Sequence, residues 1–569
     1  MASLHTSLRS LCRSQQMILR YQSGYKLSTR IVLSNDRYRK SIYANDFRFF
    51  WTKRKFNEEW KSNYVFKSSA VVLALLTVGL SVYYLNGKRR SPDGSNAGVF
   101  NPKLPSHTLE EVAKHNSKKD RVWVTYGQGV YDITDFVADH PGGEEKIMIA
   151  AGGSVEPFWM MYAIHKTPTI LAMLEQYRIG NISAEDAKVA TSNMEDPYSK
   201  EPLRHPALRP NSLQPYNAEP PSVLLVDSFY TPTALFYVRN HLPVPEVDEQ
   251  SYELQISGVG IKETTLTLDD IKKFPKYTLT ACIQCAGNRR GEMSTVKPVK
   301  GLDWGSAAIG NAQWSGARLY DVLTSLGLKE DDPKVKHIKF KGMDTDVINV
   351  PYGASIPVEK GMNPRGDVLL AYEMNGEPLT IDHGFPLRVI VPGTVGARNV
   401  KWLSSIKVSG CESPAHWQQY DYKGFSPSVD WDTVDWSSAP AIQELPVISA
   451  ICDPVNGASV KPNQGKVKLR GYAFSGGGHQ VVRVDVTADK GHTWHTATLE
   501  QESARPPRHW GWTLWTVDVP VSPKASRVEF WVKAVDNSYN TQPETINNIW
   551  NLRGILNNAY HRIKVNITK

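Results

Sequence analysis

The stretch VYDITDFVADHPGGEEKIMIAAG, residues 130–152, decides how the first folded part of this chain is read. A β-branched run, VYDIT, leads into a turn that presents His140 immediately before Pro141, Gly142 and Gly143. Glycine there permits close backbone approach to something flat and bulky. A second histidine, His165, follows 25 residues later in WMMYAIHKTP. Ile147, Met148, Ile149, Val155, Phe158, Trp159, Met160 and Tyr162 surround the pair, more apolar surface than so short a segment uses on itself. An apolar pocket with one imidazole on each wall suits a haem whose iron takes both. With both axial positions filled, such a haem carries electrons and does not activate oxygen. Zinc is disfavoured, because the histidines are not at i,i+4 spacing and no cysteine or acid completes a tetrahedral set.

The flanks extend the pattern. From HTLEEVAKHN through HPGG to LEQYRIG, roughly 75 residues, the segment resembles cytochrome b5. That resemblance implies a haem b domain over residues 104–182, with His140 and His165 as the iron ligands.

N-terminal to it, the chain carries an address. The formal net charge of +9 is uneven: residues 1–90 hold 17 Lys/Arg against the four acids Asp36, Asp46, Glu58 and Glu59, so the remainder is slightly acidic. No basic, aromatic-interleaved segment argues for nucleic acid. MASLHTSLRSLCRSQQMILR is rich in Arg and Ser and free of acids, the composition of a mitochondrial presequence. An uncharged run, AVVLALLTVGLSVYYL (70–85), is bracketed by Lys67 and by Lys88, Arg89 and Arg90. Residues 1–90 are therefore expected to be a bipartite presequence that stalls in the inner membrane and is cut, releasing the mature chain into the intermembrane space. A permanent anchor is the competing reading, since the run is slightly short of the about 20 residues a spanning helix needs.

Beyond residue 182 a polar stretch, 183–206, reads as a flexible linker. Residues 207–440 mix β-branched runs (IKFKG, LRVIVPG, VKWLSSIKVSG) with helical patterns (LTLDDIKKF, ARLYDVLTSLG), as an α+β domain does. From 446 to 569, VKLRGYAF, VVRVDVTA, LWTVDVPV and VEFWVKAVD alternate apolar and polar between glycine- and asparagine-rich turns, the pattern of an antiparallel, immunoglobulin-like β-sandwich.

The second chemical site centres on TLTACIQCAGNRRGE, 278–292. Five cysteines give no disulfide framework, and Cys411 and Cys452 stand apart with no second Cys-x-x-Cys, so zinc lacks its ligands. A thioredoxin-like dithiol opens a helix after a strand, whereas here the second cysteine opens a small-residue turn with Arg289 and Arg290. Adjacent cations favour a thiolate, a soft ligand for a heavier metal, and two guanidinium groups suit an anion. The residues point to a metal–thiolate centre with an anionic substrate or cofactor and do not name the metal.

FYVRNHLPVP (236–245), CIQCAGNRR (282–290), VKGLDWGSAAIGNAQWSGARL (299–319), IDHGFPLRVIVPGTVGARNVKWL (381–403), QYDYKGFSP (419–427) and IWNLRG (549–554) together look like the sulfite oxidase family in its animal form. The resemblance runs from about residue 104 to the C-terminus and implies the following. Sulfite is oxidised to sulfate by oxygen-atom transfer at a molybdenum–molybdopterin centre held by Cys285, and electrons pass singly through the haem to cytochrome c. Cys282 is a buried small side chain with no role in the chemistry. Arg239, Asn240, His241, Asp344, His383, Arg388 and Lys401 contact the cofactor, and Arg239, Arg290, Trp304, Tyr422 and Arg553 line the substrate pocket, with Cys285, Tyr422, Arg239 and Arg290 catalytic. Asn399 stands where the family pattern has histidine and is expected to donate one hydrogen bond to the cofactor. The sandwich is the dimerisation domain of a homodimer, and membrane contact is confined to the N-terminal segment before cleavage. A nitrate reductase-like enzyme is the closest alternative, but there the haem follows the molybdenum domain. A haem carrier with an inactive molybdenum domain is another, against which the intact Cys285, Arg290 and Tyr422 count.

Overall fold

The computed structural model describes residues 96–192, 196–329 and 331–569. The presequence and the apolar run 70–85 lie outside these residues. Among the described residues, no helix is long and apolar enough to cross a membrane.

The first body is a four-stranded sheet in the order 153–154, 123–126, 129–132, 178–181. Its central hairpin pairs Tyr126 with Gly129 across a two-residue loop, and Gly127 supplies the positive φ of +53° that so tight a turn requires. Thr108 opens the helix Leu109–Lys114 by accepting the Glu111 N–H on its hydroxyl. The core of Val122, Val124, Tyr131, Ile133, Val137 and Leu174 closes one side of the sheet. Ile147, Met148, Phe158 and Trp159 pack on that core yet remain only half-buried.

Residues 183–206 are more structured than their polar composition suggests. Ser183 caps a helix, Ala184–Thr191. Further on, Tyr198 is buried with its hydroxyl donated to the Met161 carbonyl, and Arg204 forms a two-pronged ion pair with Asp382, at 2.8 Å from each nitrogen.

The middle body contains two five-stranded sheets. One runs 276–284, 309–318, 369–374, 377–378, with 388–390 also pairing 369–374. The other runs 351–357, 337–345, 403–409, 253–258, 264–267. Strand 309–318 is buried almost throughout because it is covered on both faces, whereas 337–345 alternates buried and part-exposed residues, as a strand with one solvated face does. The C-terminal body packs the sheet 448–453, 466–474, 513–520, 498–500 on the sheet 459–460, 561–567, 527–536, 481–487, 495–496. Val467, Leu469, Val484, Val486, Phe530 and Val532 fill the space between them, so the alternation in the sequence becomes an inward face and an outward one.

Candidate active site

Two chemical centres emerge. In the first body His140 ends the short 3-10 turn Thr134–Asp139, and its ring lies 6.3 Å from that of His165, nearly parallel at 15°. Gly142 is required there, since a Cβ would sit 2.7 Å from the His140 ring. His140 Nδ1 lies 3.0 Å from the Gly143 carbonyl and His165 Nδ1 lies 3.2 Å from that of Tyr162. Each contact places the proton on Nδ1 and leaves Nε2 as the free ligand atom. Burial holds the His165 imidazole below its ordinary pKa, favouring the neutral form that metals bind. The half-buried Ile147, Met148, Phe158 and Trp159 supply apolar walls. This donor set fits a haem. Among the described residues no cluster of three or more metal-binding side chains exists.

The second centre is a narrow cavity of about 60 Å³ in the middle body, into which Cys285 opens from the end of strand 276–284. The spacing of three between the cysteines sends them to different packing clusters, Cys282 with the side of Leu254 and Ile309, Cys285 with that of Phe236 and Trp304. They are not a dithiol. Burial pushes the Cys282 thiol well up, as befits a core residue. The Cys285 Sγ receives the Gly287 N–H at 3.4 Å.

Around Cys285 the cavity wall holds Arg239, His241, Asp344, His383, Arg388, Asn399, Lys401 and Tyr422. Four of these are buried ionisable groups held away from their ordinary states by burial: Asp344 is raised to about 7, Lys401 lowered to about 7, Arg388 to about 10 and His383 to about 4. One Asp344 carboxylate oxygen and the Arg388 Nε are buried without a hydrogen-bond partner. One unsatisfied guanidinium nitrogen and one unsatisfied carboxylate oxygen on the same wall fit a ligand that carries both a phosphate and ring N–H donors, which molybdopterin does. Lys401 donates to the Asn240 side-chain oxygen and, at 2.9 Å, to the Asp382 carbonyl. Asn240 is thus fully buried behind the wall and acts through Lys401.

Other expected residues stand one layer out. Arg290 spends its guanidinium on carbonyls, at 2.9 Å to Leu302 and 3.1 Å to both Arg553 and Gly554. Trp304 is fully buried with an unpartnered indole nitrogen, its ring edge-on to Tyr237 at 6.4 Å. Arg553 pairs with Asp421 and lies 5.8 Å from the Trp431 ring centre. None of the three lines the cavity, although Arg290 is within electrostatic reach of Cys285, Arg553 and Tyr422.

One expectation is corrected. Arg289 does not hold an anion: it is fully buried, paired with Glu292 at 2.6 Å and bonded to the carbonyls of Ser449 and Ala559. Asn399 accepts the Val391 N–H at 2.7 Å and donates to the Val395 carbonyl at 3.1 Å, so its amide first holds its own loop. His241 faces Tyr422, with Nε2 to the hydroxyl at 2.7 Å. Sequence reasoning missed Asp382, Tyr352, Tyr237 and Asp421. Asp382, Tyr237 and Asp421 were within reach, since each belongs to a quoted motif, IDHGFP, FYVRN and QYDYKGFSP.

Comparison with known proteins agrees with this division. Residues 108–183 match the cytochrome b5-like haem/steroid binding domain, 241–417 the oxidoreductase molybdopterin binding domain, and 439–568 the Mo-co oxidoreductase dimerisation domain. Mitochondrial sulfite oxidase of Drosophila melanogaster is 58% identical over 469 residues, 82% of this chain and 81% of that protein. Sulfite oxidase of Gallus gallus is 54% identical over 462 residues, 81% of this chain and 100% of that protein. Among solved structures, the sulfane dehydrogenase SoxCD from Paracoccus pantotrophus aligns with a TM-score of 0.51 at 26% identity, over 64% of this chain and 86% of that one.

Proposed function

The chain belongs to the sulfite oxidase family, and on that premise we propose how its residues divide the work of the reaction. The protein is a mitochondrial oxidoreductase that oxidises sulfite to sulfate, with a b5-type haem for electron transfer, and a homodimer through its C-terminal domain. The molybdenum–molybdopterin centre, when bound, supplies the oxygen-atom transfer, and the haem supplies one-electron steps.

Cys285 is the thiolate ligand for molybdenum. Asp344, His383, Arg388 and Lys401 hold the pterin and its phosphate from the wall, with Asn240 orienting Lys401. Arg239 and Tyr422 face the anion directly. Arg290, Arg553 and Trp304 form the outer layer of the substrate pocket, where a positive field lowers the cost of bringing a dianion out of water. His140 and His165 ligate the haem iron. The external acceptor is cytochrome c and the compartment is the intermembrane space. A slightly acidic mature chain has the right sign to meet that basic partner. The single observation that carries the residue assignments is the opening of Cys285 into a cavity walled by buried cations, with an Arg388 nitrogen and an Asp344 oxygen left unpartnered.

The test is anaerobic. Sulfite added to the purified protein is expected to reduce the haem promptly, seen in its absorption bands, and Cys285→Ser is expected to abolish this while the dithionite-reducible haem remains. A haem that stays oxidised in a molybdenum-loaded parental protein would sink the reading.

A further inference from the structure

We propose that residues 196–204 form a strap that holds the haem-binding body against the middle one, with Tyr198 as its latch. The phenol hydroxyl fastens the turn that carries His165, and the two bodies part when that bond opens. Neither the substrate nor the metal enters into it.

The strap belongs to the middle body. Its first turn is shaped by Asp196, whose side chain accepts the Tyr198 N–H at 3.0 Å and whose carbonyl accepts the Ser199 N–H at 3.0 Å. Glu201 then accepts the Val244 N–H at 3.4 Å, and Lys200 reaches Glu246 at 2.6 Å. Arg204 lies over the Tyr216 ring at 3.9 Å, in addition to its ion pair with Asp382. Toward the haem-binding body the strap extends Tyr198, buried and with its hydroxyl donated to the Met161 carbonyl.

Met161 closes the helix Glu156–Met161, and the last carbonyls of a helix have no donor within it. Tyr198 supplies that donor when the bodies meet and water supplies it when they part, so the bond opens without stranding a buried group. Burial pushes the pKa of the phenol up and keeps its hydrogen in place. The grip falls one residue before Tyr162, whose carbonyl receives the His165 Nδ1 and backbone N–H groups at 3.2 and 3.0 Å. Tyr162 itself packs on the middle-body core that holds Tyr352 and Trp417, and Lys146 pairs with Asp346 at 3.1 Å. Asp346 is aimed by its own loop, its other oxygen accepting the N–H groups of Ile348 and Val350 at 3.1 and 2.9 Å. Parting the bodies therefore opens the Tyr198 bond, the Lys146 ion pair and the Tyr162 seat together, and the strap stays behind with the middle body.

The test is amide hydrogen exchange, read by mass spectrometry on the haem- and molybdenum-loaded protein. Tyr198→Phe keeps the ring and removes the hydroxyl. Peptides covering 156–166 and 343–350, one on each face of the junction, are expected to exchange about fivefold faster and by a common factor, the weight of one neutral hydrogen bond. Strand 466–474 of the sandwich should be unchanged, as should the haem absorption bands, which report an intact pocket around His140 and His165. Adding Lys146→Ala should multiply the factor, because two separate contacts close one opening. Faster exchange confined to 196–204, on one face alone, or on neither would overturn the latch.

Discussion

Arg289 and Arg290 are neighbours with different tasks. The turn after Cys285 puts Arg289 in the left-handed region, at a φ of +64°, and so sends the two side chains in different directions. Arg289 goes inward, where Glu292 and the carbonyls of Ser449 and Ala559 tie the middle body to the sandwich. Arg290 stays within electrostatic reach of the Cys285 thiol. Their shared residue type made them look like one anion clamp in the sequence, because side-chain direction in a turn is set by a backbone angle that composition does not report. Glu292→Ala is expected to cost roughly 3–5 kcal/mol by leaving Arg289 buried without its carboxylate. The measurement is the melting temperature of the holoenzyme, with haem and molybdenum content unchanged. Cys285, by contrast, is singled out by the sequence pattern, and the structure places it on the cavity wall.

At the scale of elements, the strands of the sandwich were plain in the sequence because a period of two survives whatever packs against it. The π-turn Trp417–Asp421 was not, because it differs from an ordinary turn only in which carbonyl each N–H chooses. The helix Ala184–Thr191 was also missed, since its apolar content is low and its signal is the Ser183 cap. Strand 561–567 carries its own pH sensor. His561 is buried there, and its Nδ1 accepts the Ile451 N–H at 3.0 Å, a bond that needs the neutral ring. Burial lowers its pKa to about 4, outweighing the opposing pull of Glu292. The folded value thus lies below the unfolded one, near 6.5. Its contribution is complete above that unfolded value and is lost as pH falls from about 6.5 toward 4. Melting temperature should therefore decline over that interval, and less steeply in His561→Gln.

Across the whole molecule, the haem-binding body rests on the middle one. Lys146, six residues after His140, reaches Asp346 at 3.1 Å, and Tyr162 packs against the core that contains Tyr352 and Tyr422. Asp346 is buried while Lys146 is partly exposed, so the pair is a rim contact between the two bodies. Lys146→Ala is expected to slow haem reduction after a sulfite pulse by at most about fivefold, the scale of an ion pair worth about 1 kcal/mol. Stopped-flow absorbance reads the rate, and an unchanged oxidised haem spectrum confirms that the haem pocket is intact. The sequence showed that two redox bodies were joined but not how they meet, because no local pattern encodes a contact made by single charges on separate bodies.

The Arg204 clamp on Asp382 has a consequence in length. It pins one end of the connecting segment beside the cofactor wall, so the reach of the haem-binding body is measured from there. A helix over 184–191 contributes about 12 Å, and the residues from there to Arg204 contribute about 40 Å when fully extended. A body on a lead of about 50 Å can leave the cavity mouth and return once the contact of Tyr198 with Met161 opens. Doubling that lead would dilute the haem at the cavity only about threefold, so turnover should respond weakly to the length of the segment as long as Tyr198 and Arg204 are kept.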